Sequence, residues 1–133
     1  ELFDVVKSNG AFTHSYALYY FKQLMSAVSF IHENGFCHLD LSLENIILCR
    51  NKIDIKIIDF GLARKLPENN LLHEPKCVVG KVKYMVPELY AKKPFNGRKA
   101  DVYSCGVILF IMLAGIGTIL FDVLVLTIPT PCC

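Results

Sequence analysis

Two aspartates and an asparagine stand close together in the stretch from His38 to Gly61, HLDLSLENIILCRNKIDIKIIDFG. Asp40 and Asn45 lie five positions apart, and Asp59 follows the second of two β-rich runs that begin directly after Asn45. A hairpin brings its two ends together, so this order gathers all three oxygen-bearing side chains at one edge. Hard cations such as Mg²⁺ take oxygen ligands and keep part of their water shell, which leaves room for phosphate oxygens. Asn45 and Asp59 suit that task. Asp40 is left free to accept a proton from a hydroxyl, the positioning role that phosphoryl transfer requires.

The elements that must hold these groups follow from hydrophobic spacing. Ile46 to Arg50 and Ile53 to Ile58 flank Asn51-Lys52 and predict a hairpin, whose second run alternates and so buries one face. Ahead of it, Ala17, Phe21, Leu24, Val28 and Ile31 recur at intervals of three and four. They predict the core stripe of a helix that Thr13 can cap and Gly35 can end. ELFDVVKSNG predicts a short helical turn closing on Asn9-Gly10. From Leu62 to Lys83 the chain is polar and broken by Pro67, Asn69, Asn70 and Pro75, which predicts a long loop of the functional or disordered kind. DVYSCGVILFIMLAG then predicts a mostly apolar helix with Asp101 at its start, capping amides at the positive end of the dipole.

Composition bounds the reading. A chain of 133 residues is at most one domain, and 53% hydrophobic against 20% charged residues argues for a folded core rather than disorder. Net charge is +2 and no basic block is interleaved with aromatics, so nucleic acid is a poor candidate ligand. The cysteines at 37, 49, 77, 105, 132 and 133 form no C-x-x-C pair, and free intracellular thiols are expected. The sequence begins at Glu1 with no signal-peptide pattern, and the expectation is a piece of something longer.

The constellation resembles the protein kinase catalytic lobe. His38-Leu39-Asp40 with Asn45 matches the H-R-D-L-x-x-x-N loop, Asp59-Phe60-Gly61 matches D-F-G, and Val86-Pro87-Glu88 stands where A-P-E closes the activation segment. D-F-G alone occurs by chance in many proteins; four elements in order at near-family spacing do not. The resemblance runs from about Glu1 to Gly115, with residues 116–133 a divergent apolar tail. It implies an α+β fold, the mainly helical larger lobe with a small hairpin and no smaller lobe. It also implies ATP and Mg²⁺ as cofactors, a protein substrate, Asp40 orienting the acceptor hydroxyl, and Asn45 and Asp59 holding the metal and nucleotide. His38, Phe60 and Gly61 belong to the structural frame, Glu88 anchors the activation segment, and Asp101 braces the catalytic loop.

Several positions depart from the family pattern. The Gly-rich phosphate lid, the ATP-pairing lysine and its glutamate partner do not occur, so the isolated chain is expected to lack kinase activity. Leu39 replaces the arginine that pairs with an activation-loop phosphate, and between Gly61 and Glu88 there is no Ser or Thr, only Tyr84. The two absences agree and suggest a kinase not switched by Ser/Thr phosphorylation of that segment. Ser42 replaces the lysine two residues after the catalytic aspartate, while Lys81 replaces the threonine after Gly80 that bridges aspartate and lysine in relatives. Lys81 is therefore expected to supply the missing charge near the transferred phosphoryl; the competing reading is a degenerate site. Leu43-Glu44-Asn45 favours Ser/Thr acceptors, and the His-Leu-Asp variant with Ser42 resembles the divergent FIKK kinases of apicomplexan parasites.

Other features have plainer readings. Asp54 and Lys56 suit a solvated strand face, the scattered His14, His32 and His73 suit no metal, and the cluster Tyr16, Tyr19, Tyr20 and Phe21 suits helix packing. Val102 to Phe121 carries no charge and could span a bilayer if read blind, but a buried central kinase helix looks the same. Cys132-Cys133 resembles the prenylated end of some small GTPases, without that family's body. The expected protein is an intracellular, cytoplasmic Ser/Thr kinase fragment, exported to a host cell if of FIKK type. A pseudokinase-like binding module is the alternative, and a membrane-anchored remnant the third reading.

Overall fold

The computed structural model describes residues 1–51, 53–73, 81–91 and 93–117. Among them the fold is α+β. Helices α1 (Leu2–Asn9), α2 (His14–Glu33), α3 (Pro87–Tyr90) and α4 (Gly97–Ala114) surround short strands β1 (Phe36–Cys37), β2 (Ile46–Leu48), β3 (Ile55–Ile57), β4 (Arg64–Lys65), β5 (Leu71–Leu72) and β6 (Phe95–Asn96). The strands form three antiparallel ladders, β1 with β4, β2 with β3, and β5 with β6.

Thr13 opens α2 by accepting the Tyr16 N–H at 3.4 Å, and Gly35, at φ 78°, turns the chain out of it. The buried face of α2 is Ala17, Tyr20, Leu24, Val28 and His32, rotated slightly from the expected stripe. Phe21 and Ile31 are only half-buried. The cause is tertiary: Tyr20 packs on Phe12 with ring centroids 5.9 Å apart, and His32 turns inward toward a carboxylate on α4. The expected aromatic packing cluster is split, since Tyr16 and Tyr19 face solvent. α1 is two turns long and buries Leu2 and Val6 at i, i+4 spacing.

In the hairpin Ile46 faces Ile57 and Leu48 faces Ile55. The connection is longer than the two residues expected, because Asn51 Oδ1 accepts the N–H groups of both Ile53 and Asp54 and folds them into the turn. Ile53 is consequently exposed. Gln23 of α2 pins this end, donating to the Ile53 carbonyl at 2.9 Å and accepting the Ile55 N–H at 3.1 Å.

The stretch read as one long loop contains β4 and β5 within its described part, and a 3₁₀ turn, Val82–Tyr84, runs across its end. Two-residue strands have no periodicity to read, which is why they escaped the sequence pattern. α4 starts four residues before Asp101: Asn96 is its cap, accepting the Lys99 N–H at 3.1 Å, and Phe95 joins Ala100 in one buried cluster as a hydrophobic staple. Asp101 therefore lies in the second turn and does not cap this helix. Gly97 allows close approach, since a Cβ there would stand 2.7 Å from Cys37 Sγ and 2.9 Å from Leu66 Cδ2.

Ile108, Ile111 and Met112 of α4 meet Leu24 and Val28 of α2 in the main core. Burial of α4 is one-sided rather than complete, with Val102, Tyr103, Phe110 and Leu113 exposed. No described helix is long and apolar enough to cross a membrane. Most of the apolar tail, with Cys132-Cys133, lies outside the described residues.

Candidate active site

The loop from His38 to Asn45 is fastened from below by one carboxylate. Asp101 is fully buried, and it accepts the His38 N–H at 2.9 Å, the Leu39 N–H at 2.8 Å and a contact from His32 Nε2 at 2.8 Å. Three donors offset the cost of burying the charge. The His38 ring is also enclosed, with Nε2 3.1 Å from the Ile58 carbonyl and Nδ1 3.2 Å from the Asp40 amide nitrogen. A carbonyl can only accept and an amide can only donate, so the imidazole is the neutral Nε2–H tautomer. Burial agrees, pushing the His38 pKa below its ordinary value against the opposing pull of the Ile58 hydrogen bond.

This frame delivers Asp40 and Asn45 side by side. Asn45 Nδ2 donates to both the backbone carbonyl and the Oδ2 of Asp40, each at 2.7 Å. Lys81 arrives from the other side, its Nζ 2.9 Å from Ser42 Oγ, 3.3 Å from Asn45 Oδ1 and 3.7 Å from Asp40 Oδ2. Asp40 Oδ1 is buried and has no hydrogen-bond partner among the described residues. A buried acceptor without a donor is costly in isolation.

Asp59 reaches the same edge through the backbone, because the Ile58 N–H donates to the Asn45 carbonyl at 2.9 Å. Its side chain does not join the Asp40–Asn45 pair by any hydrogen bond; Asp59 Oδ1 accepts the Gly61 N–H at 3.2 Å instead. Asp59 is exposed and holds φ 62°, a left-handed conformation that this short local bond favours. Phe60 sets its ring against His38 at 4.8 Å, and Gly61 keeps clear of Asp59 Oδ1, which would stand 3.1 Å from a Cβ. Glu88 lies in the first turn of α3, exposed, and its carboxylate has no hydrogen bond or ion pair among the described residues. The donor set, an amide oxygen on Asn45 and a carboxylate on Asp59, is of the hard oxygen type that suits Mg²⁺.

Sequence reasoning passed over three contacts here. His32 was set aside as scattered, yet it meets Asp101 across 69 positions; Tyr84 Oη donates to Glu44 at 3.3 Å; and Ser104 Oγ donates to the Tyr84 carbonyl at 2.8 Å. Only long-range packing reveals them. Beside the loop, a cavity of about 250 Å³ is lined by apolar residues that include Leu39, Leu72 and Phe95, with Asp40, Arg64 and Lys81 among its polar ones.

A family model of the protein kinase domain matches residues 1–122. The chain belongs to the protein kinase family. It is similar to the serine/threonine-protein kinases SRK2F of Arabidopsis thaliana and SAPK2 of Oryza sativa subsp. japonica, each 44% identical over 86% of this chain. SRK2A of Physcomitrium patens is 43% identical over the same share. The match covers 32%, 33% and 32% of these relatives, so this kinase chain spans about a third of their length. These relatives are plant kinases, and they lend the FIKK resemblance no support.

Proposed function

We propose that the protein carrying this chain transfers the γ-phosphoryl group of ATP to Ser or Thr hydroxyls of a protein substrate. The observation that carries the reading is the Asp40 carboxylate, with Oδ2 fixed by Asn45 and Oδ1 buried without a donor. The acceptor hydroxyl donates to Asp40 Oδ1. Its oxygen forms a bond to the γ-phosphorus as the bond from that phosphorus to the β–γ bridging oxygen breaks, ADP leaves, and the hydroxyl proton passes to Asp40. Asn45 and Asp59 are the groups that would hold Mg²⁺, which when bound neutralises phosphate charge. The names of the similar serine/threonine kinases support the acceptor class.

Nucleotide binding in the full-length protein tests this reading. Mg²⁺-ATP should raise its melting temperature, and Asn45→Ala and Asp59→Ala should each remove most of the Mg²⁺-dependent part of that rise. A protein whose melting temperature ignores Mg²⁺-ATP would instead be a pseudokinase-like binding module.

A further inference from the structure

We infer that Lys81 is the positioning cation of the phosphoryl-transfer site, carried by the segment ahead of α3 rather than by the loop that holds Asp40; this rests on the kinase reading above. A lysine ammonium has three protons to donate, and this one donates to Ser42 Oγ at 2.9 Å and Asn45 Oδ1 at 3.3 Å and forms an ion pair with Asp40 Oδ2 at 3.7 Å. Asp40 Oδ2 also takes the Asn45 amide at 2.7 Å. The Asn45 hydrogen bond and the Lys81 ion pair thus fall on the same carboxylate oxygen. The effect is selective: Oδ2 carries both contacts, and Oδ1, which has no partner among the described residues, is the atom assigned to the acceptor hydroxyl.

An ordinary surface ion pair does not look like this. Exposed lysines pair loosely with one carboxylate and gain little from it. Here the Asp40 side chain is 13% exposed and Lys81 37%, and Ser42 is fully buried. Lys83, two residues further on, is exposed and has no hydrogen bond or ion pair among the described residues. The Lys81 charge also stands beside the place where phosphoryl charge develops, where a preorganised cation is worth most. Because the cation and the base come from different segments, 41 positions apart in the sequence, the site is complete only while the Lys81 segment stays docked on the loop.

Steady-state phosphate transfer by the full-length protein decides the matter. Lys81→Met, which keeps the aliphatic stem and removes the charge, should lower kcat by about a hundredfold while leaving KM for the protein substrate within about threefold. Lys81→Arg should restore part of kcat, whereas Lys83→Met should leave it within about twofold. Moving the charge back onto the loop in the double variant Ser42→Lys/Lys81→Ser should exceed Lys81→Ser alone by about tenfold or more. If the wild type is active and Lys81→Met keeps kcat within about threefold of it, the assignment of Lys81 is wrong while the kinase reading stands. A wild-type protein that transfers no phosphate overturns both.

Discussion

Leu39 donates its backbone N–H to Asp101 Oδ1 at 2.8 Å while holding φ 63°, so a carboxylate from α4 keeps a bulky residue of the loop in a left-handed conformation. Such a conformation costs on the order of 1–2 kcal/mol for a residue with a Cβ. Asp101 offsets that cost, and it satisfies His38 and contacts His32 as well.

Asp101→Ala should therefore destabilise the protein by about 3–5 kcal/mol, since it leaves several buried donors without an acceptor. Denaturant unfolding measures it. A loss below about 1 kcal/mol would show that the loop is not held from α4.

Gly97→Ala forces a Cβ to within 2.7 Å of Cys37 Sγ, on a side chain too short to swing away. We expect a loss of about 1–3 kcal/mol from overpacking. A variant as stable as the wild type would contradict the close approach of α4 to β1.

The neutral His38 ring titrates below the ordinary value of 6.5 because it is buried. The unfolded chain takes up this proton first as pH falls, so His38 contributes stability that is present above about pH 6.5 and is lost as pH drops below it. An NMR titration of the His38 ring should give a midpoint under 6.5. A midpoint above that value would contradict burial as the dominant influence on the ring.

Burial pushes the thiols of Cys37 and Cys105 up from 9.0 to about 12, with Asp101 adding to both. The unfolded chain loses these protons near pH 9 while the folded chain keeps them, so stability should fall as pH rises from 9 toward 12. At pH 8 alkylation of the native protein should label half-buried Cys49 and leave Cys37 and Cys105 slower by roughly a thousandfold. Equal labelling of the three, read by peptide mapping, would contradict the packing of β1 against α4.

Short-range patterns were legible in the sequence and long-range pairings were not. Asp40 and Asn45 sit on one tight loop, so their spacing sufficed to place them together, and Thr13 and Gly35 mark the ends of α2 by local backbone chemistry. The start of α4 was misplaced because a Gly at the first helical position hides the true cap, Asn96, behind what reads as a turn. His32 and Asp101 meet across 69 positions, and no periodicity in either helix announces that contact. Ser42 and Lys81 are 39 positions apart and are linked in the sequence only as two departures from one family pattern.

Transfer of labelled γ-phosphate from ATP to protein hydroxyls by the full-length protein, compared with its Asp40→Asn variant, tests the central claim most directly. The account predicts Mg²⁺-dependent incorporation on Ser or Thr that falls by at least about a hundredfold in the variant, with folding retained. Equal incorporation by the two proteins, or none by the wild type, would contradict it.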